Sequence, residues 1–185
     1  MRTFELPEFL FILQAAQWTL ALSLIAFVGG SLLGLVVALS RTSESRVARF
    51  AATAFIQIFQ GTPLLLQLFL IFFGAPVFGL DINPWVAAGA ALVLNSAAFL
   101  GEIWRGCIEA IPRGQWEAAQ ALNLNYFSRM RFVVLPQAFK IALPPTVGYV
   151  VQIIKGTSLA AIIGFTEITR AGQIINNATF QPLHV

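Results

Sequence analysis

Long uncharged stretches of hydrophobic residues dominate this chain and alternate with short polar segments. The hydrocarbon core of a bilayer is about 30 Å thick and an α-helix rises about 1.5 Å per residue, so about 18 such residues can cross it. The pattern predicts four spans, at about 15–40, 50–74, 82–101 and 138–165, within a single transmembrane domain, 1–185. The predicted fold class is an all-α, polytopic transmembrane helical bundle.

The fourth span is irregular. Its uncharged part, from Ile141 to Ile154, is too short to cross a bilayer alone, and Lys155, Gly156 and a second apolar segment follow it. The pattern therefore predicts a helix that is broken near Lys155 and Gly156. Transporters use discontinuous helices of this kind to build binding sites at membrane depth.

Composition agrees with a membrane protein and excludes several other classes. Hydrophobic residues make up 58% of the chain, charged residues 10%, and the mean hydropathy is +0.80. The net charge of +3 is small, so no nucleic-acid partner is expected. His184 and Cys107 are the only residues of their types, so neither a catalytic nor a metal site is expected. No GxxxxGK[ST] phosphate loop occurs, so the chain is not expected to hydrolyse ATP.

Basic residues predict the orientation, because short cytoplasmic loops are enriched in lysine and arginine. They cluster between the first and second spans and between the third and fourth, at Arg41, Arg46, Arg49, Arg105, Arg113, Arg129, Arg131 and Lys140. The connection from Gly74 to Trp85 has none. Both basic loops are therefore predicted to be cytoplasmic and the N-terminus to be outside. The acidic N-terminal segment MRTFELPEF is not expected to be a cleaved signal.

The inner loop, at about 102–137, is too long to be a simple connection. The stretch PRGQWEAAQALN predicts a helix with Trp116, Ala119 and Leu122 on one face. Asn123 is suited to the left-handed turn that ends a helix, and Asn125 or Ser128 can cap a second helix that Pro136 stops or turns. This predicts a helix-turn-helix at the cytoplasmic surface. On physical grounds alone, an amphipathic helix lying in the membrane interface is an equal alternative.

A specific spacing favours the first of these readings. The pattern EAA, three residues, Asn123, nine residues, Val133, any residue, Leu135 and Pro136 resembles the EAA motif of ABC-importer permeases. Glycine is usual in place of Asn123, and isoleucine in place of Val133. Segments such as FQGTPLLLQLFLIFFG, NSAAFLGEIWRGCIEAIPRGQWEAA and KGTSLAAIIGFTEITRAGQ resemble the polar amino acid uptake branch of that family.

The resemblance implies a permease subunit of an ATP-driven importer for polar amino acids in the bacterial inner membrane. It implies four kinds of partner: a cytoplasmic ABC ATPase dimer, a second permease subunit, an extracytoplasmic solute-binding protein and the lipid bilayer. ATP and Mg would be used by the ATPase, and this chain would bind no cofactor. The residues expected to dock on the ATPase are Glu117, Ala118, Ala119, Asn123, Val133, Leu135 and Pro136. Members of this branch generally have a fifth span, which is expected to be missing here.

Polar residues at membrane depth are candidates for the substrate path, because they are costly there. They are Lys155, Thr157, Ser158, Gln60, Thr62 and Asn95. Gln60, Thr62 and Asn95, with Gln67, could instead bond between helices, and Lys155 could snorkel from a shorter span.

Two other features bear on packing. Glu102 and Arg105 are predicted to form an ion pair, and the Gly30–Gly34 spacing predicts close helix packing.

A channel or stand-alone secondary carrier is the alternative function, in which the inner loop would be only an interfacial helix.

Overall fold

The computed structural model describes residues 5–180, which are almost entirely helical and contain no strand. The all-α fold class is confirmed. The helices are α1 (Leu6–Thr42), α2 (Arg46–Gly61), α3 (Leu64–Gly74), α4 (Pro84–Glu109), α5 (Arg113–Ala121), α6 (Tyr126–Arg129), α7 (Leu135–Gly156) and α8 (Ile168–Thr179). A 3₁₀ turn (Ala75–Phe78) follows α3, a π-helical turn (Met130–Val134) joins α6 to α7, and a 3₁₀ segment (Thr157–Ile163) follows α7.

Within the described residues, three helical segments are long and apolar enough to cross a membrane, namely Leu6–Thr42, Pro84–Glu109 and Tyr126–Ile163. The pair Arg46–Gly61 and Leu64–Phe78, bent by 99°, makes a fourth if it is counted as one span. The second predicted span, at 50–74, is therefore not one straight helix. The first and third predicted spans are longer than expected, and α4 continues to Glu109.

The bend in the second span has a local cause. Pro63 has no N–H to donate to the preceding turn, and it disfavours helical geometry at the residue before it. Thr62 accordingly adopts an extended conformation, with φ −112° and ψ 140°. The helix therefore ends at Gly61 and a new one begins at Leu64.

The fourth span changes conformation where the break was predicted. The α-helix ends at Gly156, but the chain continues directly as the 3₁₀ segment and ends at Gly164, whose φ is +85°, so the helix type changes there without an interruption of the span. The prediction that Pro136 stops a short helix is wrong. The π-helical turn before it places the Leu135 N–H on the carbonyl of Met130, five residues back, so the helix passes through proline without interruption.

The packing of α1 on α4 forms the centre of the bundle. A Cβ atom added at Gly30 would lie 2.5 Å from the Cβ of Ser96, and one at Gly101 would lie 2.8 Å from a methyl of Val37. The close packing predicted from the Gly30–Gly34 spacing is thus confirmed, since a Cβ at Gly34 would lie 3.1 Å from the carbonyl oxygen of Ala97.

The two central helices run in the same direction. Trp18 and Trp85, near their N-terminal ends, have ring centroids 5.6 Å apart, while Gly34 meets Gly101 towards the C-terminal ends. The bent pair α2 and α3 therefore carries the chain back to the end where α1 began. This leaves α5 and the basic residues Arg41 and Arg49 together at the opposite end of the bundle.

Candidate functional site

The α5 segment ends in a turn built around Asn123. This residue has φ +56°, the left-handed conformation predicted from the sequence. The N–H of Asn123 donates to the carbonyl of Gln120 at 2.8 Å, and the N–H of Leu124 donates to that of Ala119 at 3.1 Å. These two bonds form a Schellman motif, which satisfies carbonyls at the helix end. Asn125 then caps the next helix, because its side chain accepts from the N–H of Ser128 at 2.9 Å.

The two faces of α5 have different surroundings. Glu117 and Ala118 are exposed, whereas Ala119 is only 2% exposed and Trp116 packs on a buried cluster that includes Ile108 and Val134. The expectation that Ala119 admits a partner is wrong, because its side chain is covered by this chain. Glu117 and Ala118 remain available to another protein.

Direct hydrogen bonds hold α5 and the following turn against the membrane helices. The side chain of Gln137 in α7 donates to the side-chain oxygen of Gln115 at 3.1 Å. The hydroxyl of Tyr126 donates to the carbonyl of Thr42, at the end of α1, at 3.2 Å. Gln115 thus joins α5 to α7, and Tyr126 joins the following helix α6 to the end of α1.

The last three residues of the motif lie where α6 passes into α7. Leu135 is half-buried and packs against the cluster formed by Ile108, Ile111, Met130, Val134 and Ala138. Val133 is also half-buried, and its carbonyl accepts from Gln137 at 2.8 Å. Pro136 is exposed. These positions shape the connection to the fourth span, and their contact with an ATPase stays a prediction.

A polar network surrounds the bend in the second span. The amide nitrogen of Gln67 donates to the carbonyl oxygens of Phe59 and Thr62, at 2.7 and 3.0 Å. Asn95 of α4 donates to the Phe59 carbonyl and to the side-chain oxygen of Gln67, each at 3.3 Å. The Tyr149 hydroxyl of α7 donates to Asn95 at 3.3 Å. Helices α2, α3, α4 and α7 are thus joined at one point.

The network provides hydrogen-bond donors for carbonyl groups at the helix break. A helix break leaves carbonyl groups without intrahelical partners, and no water is present in the hydrocarbon core to satisfy them. Gln67 and Asn95 supply the missing donors, and both are buried, at 5% and 8% exposure. The predicted interhelical bonding of these residues is confirmed. The contribution of Tyr149 was missed, because a single tyrosine in an apolar helix carries no spacing signal.

The other predicted path residues are not gathered at this network. Gln60 donates to the carbonyl of Ala98 at 3.2 Å, so it joins α2 to α4. Thr157 is buried and donates to Ile154, while Ser158 donates to Lys155, each at 2.7 Å. Lys155 is exposed and forms no salt bridge within residues 5–180. A contact between any of these residues and substrate stays a prediction.

Replacing Gln67 with leucine is expected to destabilise the bend. The change removes the Gln67 donor from the Thr62 carbonyl and leaves the Phe59 carbonyl with only Asn95, and a polar group left without its partner costs about 1–3 kcal/mol. We expect a lower thermal unfolding temperature in neutral detergent, measured with a thiol-reactive or scattering probe. Gln57→Leu is the matched control, because Gln57 lies on α2 and is exposed. Equal unfolding temperatures for the two variants would contradict a bracing role for Gln67.

The ion pair predicted between Glu102 and Arg105 is confirmed, and Glu109 is a second partner of the same arginine. Arg105 binds both carboxylate oxygens of Glu102, at 2.6 and 2.8 Å, and also binds Glu109 at 2.5 Å. One arginine thus bridges two carboxylates that lie one turn before it and one turn after it on α4. This geometry is a stabilising helix-surface arrangement.

Comparison with known proteins identifies the family of this chain. Residues 30–182 match the family described as "Binding-protein-dependent transport system inner membrane component". The probable amino-acid ABC transporter permease protein YckA of Bacillus subtilis (strain 168) is 36% identical over 175 residues, which are 95% of this chain and 77% of that protein. The glutamine transport system permease protein GlnP of Escherichia coli (strain K12) is 35% identical, over 97% of this chain and 83% of its own length.

Solved structures support the same family assignment. A crystal structure of an amino acid ABC transporter with histidines superposes with a TM-score of 0.87 and 34% identity, covering 97% of this chain and 86% of that one. An inward-facing structure of the MetNI methionine ABC transporter has a TM-score of 0.79 at 20% identity, covering 95% of this chain and 85% of that one, and shares the fold. The chain therefore belongs to the binding-protein-dependent transport system inner membrane components, as a permease subunit of an ABC importer, and the family predicted from its EAA-like motif is confirmed.

Proposed function

We propose that this permease subunit carries a polar amino acid and is driven by a separate cytoplasmic ATPase dimer that binds its α5 segment. The observation that carries the proposal is the two-faced α5. Its Glu117 and Ala118 side is exposed, and on its other side Trp116 packs on the buried cluster with Ile108 and Val134. Gln115 of α5 accepts from Gln137 of α7, and Tyr126, at the start of the next helix α6, donates to the Thr42 carbonyl of α1. A partner that pulls on the exposed side would therefore move the membrane helices.

The ATP and Mg²⁺ belong to the ATPase in this proposal, and this chain binds no cofactor of its own. Closing of the ATPase dimer on ATP would move α5 as a lever. Glu117 would make a polar contact in or beside the ATPase groove, and Ala118 would allow close approach. The turn at Asn123 would set the angle between α5 and the fourth span.

The proposed orientation places the N-terminus outside. The basic residues Arg41 and Arg49 lie with α5 at one end of the bundle, as expected of a cytoplasmic surface. Trp18, Trp85 and Phe165 pack together at the other end, with centroid distances of 5.6 and 5.2 Å, as expected of an interfacial aromatic belt.

The proposed assembly has two permease subunits and an extracytoplasmic solute-binding protein. Large apolar side chains on α1 are well exposed, among them Leu20, Leu24, Leu32 and Val36 at 61–66%. Such a surface suits lipid or a second permease. The solute-binding protein would deliver the amino acid to a path near Lys155 and the bend at Gly61–Pro63. The relatives named above are amino-acid and glutamine permeases, which supports a polar amino acid as substrate.

The test is uptake into vesicles that carry the permease with its ATPase and solute-binding protein. We expect uptake of a labelled polar amino acid, glutamine first, only when ATP is inside and the binding protein is outside. A non-hydrolysable ATP analogue is the control. Uptake that follows an ion gradient and persists without ATP would overturn the proposal and favour the carrier alternative.

A further inference from the structure

A pocket of about 280 Å³ opens where the C-terminal end of α1 and the start of α2 meet α5. Its lining includes Arg41, Ser43, Arg49, Ile108, Glu109 and Trp116. The pocket lies apart from the polar network at the bend. It also lies beneath α5, on the side away from the exposed Glu117 and Ala118.

Two guanidinium groups dominate the polar lining. Arg41 donates through Nη1 to the Thr53 hydroxyl at 2.7 Å, and Arg49 donates through Nη1 to the Ser43 carbonyl at 2.6 Å. Both partners are neutral, and neither arginine forms a salt bridge in the part of the chain that the structure describes. The Nε of Arg41 is buried and lacks a hydrogen-bond partner among those residues. Both groups therefore keep donors and full charge for a further acceptor.

The nearby carboxylates do not neutralise these arginines. Glu109 lines the pocket, but Arg105 binds it at 2.5 Å and also binds Glu102. The charged residues that line the pocket are Arg41, Arg49 and Glu109, so the lining carries one net positive charge. The pocket is thus suited to an anion, and guanidinium groups match phosphate oxygens in geometry.

The surroundings point to the membrane surface. Arg41 is in the last turn of the first apolar span, so its guanidinium lies at headgroup level. On the helix that carries Arg49, Val47 and Phe50 are 79% and 77% exposed, which provides apolar surface beside the charge. A phospholipid offers both a phosphate and acyl chains, and basic pockets between membrane helices bind anionic headgroups.

We propose that this pocket binds a phosphate-bearing anion through Arg41 and Arg49. The headgroup of an anionic phospholipid is the source that the exposed apolar side chains favour, and free inorganic phosphate is the other source. The occupant would contact α1, α2 and Trp116 of α5 together. It would therefore stabilise the position of α5 against the membrane helices. The binding site does not depend on the transport role proposed above.

Native mass spectrometry of the intact transporter complex, delipidated in neutral detergent, tests the lipid source. The complex is titrated with phosphatidylglycerol and, separately, with phosphatidylcholine. We expect tighter retention of phosphatidylglycerol, and about 30-fold weaker binding in the double variant Arg41→Gln/Arg49→Gln, since each arginine near a membrane surface contributes about fivefold. Arg46→Gln is the matched control, because Arg46 is exposed on the same helix and does not line the pocket.

A second titration, by calorimetry with inorganic phosphate in lipid-free detergent, tests the other source. Phosphate binding that the double variant loses and Arg46→Gln keeps would support the site with a free anion as its ligand. The variant Arg41→Lys/Arg49→Lys keeps the charge, so partial binding by it, with an unchanged unfolding temperature, separates ligand loss from misfolding. If the double variant bound both phosphatidylglycerol and phosphate as the native complex does, or if neither bound the native complex, the proposal would be overturned.

Discussion

Replacing Ala118 with aspartate is expected to abolish ATP-driven uptake while the permease stays folded. Ala118 is exposed on α5 and follows Glu117, so aspartate there adds a carboxylate to the proposed docking face with no partner on this chain to neutralise it. Burying an uncompensated charge in an interface costs at least about 2 kcal/mol, which corresponds to about 30-fold weaker association. Uptake into vesicles and retention of the ATPase on the purified permease are the two measurements.

The control for Ala118→Asp is Gln120→Asp. Gln120 is also exposed on α5, but two residues further along the helix it faces the flank nearer Trp116, since successive residues turn by about 100°. We expect Gln120→Asp to keep most of the uptake and the ATPase. Normal uptake and normal ATPase retention by Ala118→Asp would remove the docking role from this face and return α5 to an interfacial helix.

The second large effect is expected from Gly30→Ala. A methyl group at Gly30 would lie 2.5 Å from the Cβ of Ser96 and 3.3 Å from its backbone carbonyl carbon, so α1 and α4 must move apart. Overpacking of this kind costs about 1–3 kcal/mol, which exceeds the gain of about 1 kcal/mol from replacing glycine with alanine in a helix. We expect a lower unfolding temperature and a lower yield of assembled complex.

Gly89→Ala is the matched control. Gly89 is also buried in the bundle, yet a Cβ there would meet only a methyl of Ile25, at 3.9 Å. This variant is expected to be as stable as the native chain or slightly more stable, because the helix propensity gain is not offset by a clash. If Gly30→Ala unfolded at the same temperature as Gly89→Ala, α1 and α4 would not pack as closely as described.

Local residue chemistry was sufficient to predict much of the backbone from α5 to α6. Asn123 was predicted to adopt the left-handed conformation, and it does so because asparagine tolerates positive φ better than most residues. Asn125 was one of two predicted caps, and its side chain accepts from Ser128. The prediction that Pro136 stops a helix was wrong. Proline is tolerated in the first turn of a helix, and here a π-helical turn precedes it.

The burial of each side chain and its contacts with other helices could not be predicted in the same way. Ala118 and Ala119 are adjacent in the motif and chemically identical, yet one is exposed and the other is covered by this chain. Likewise, the sequence favoured bonding between helices for the polar residues at the bend, and only the structure shows that Gln67, Asn95 and Tyr149 are in contact.

The sequence by itself determined the membrane location, the helical class and the close packing at Gly30, because these follow from hydrophobic length, charge and short-range spacing. It also indicated the family, through the resemblance of residues 117–136 to the EAA motif. Only the tertiary structure decided that Ala119 is covered while Ala118 is exposed, and that Arg41 and Arg49 share a pocket with Trp116. Those features depend on which segments meet across long separations, and hydrophobic periodicity carries no information about the partner that a helix face will contact.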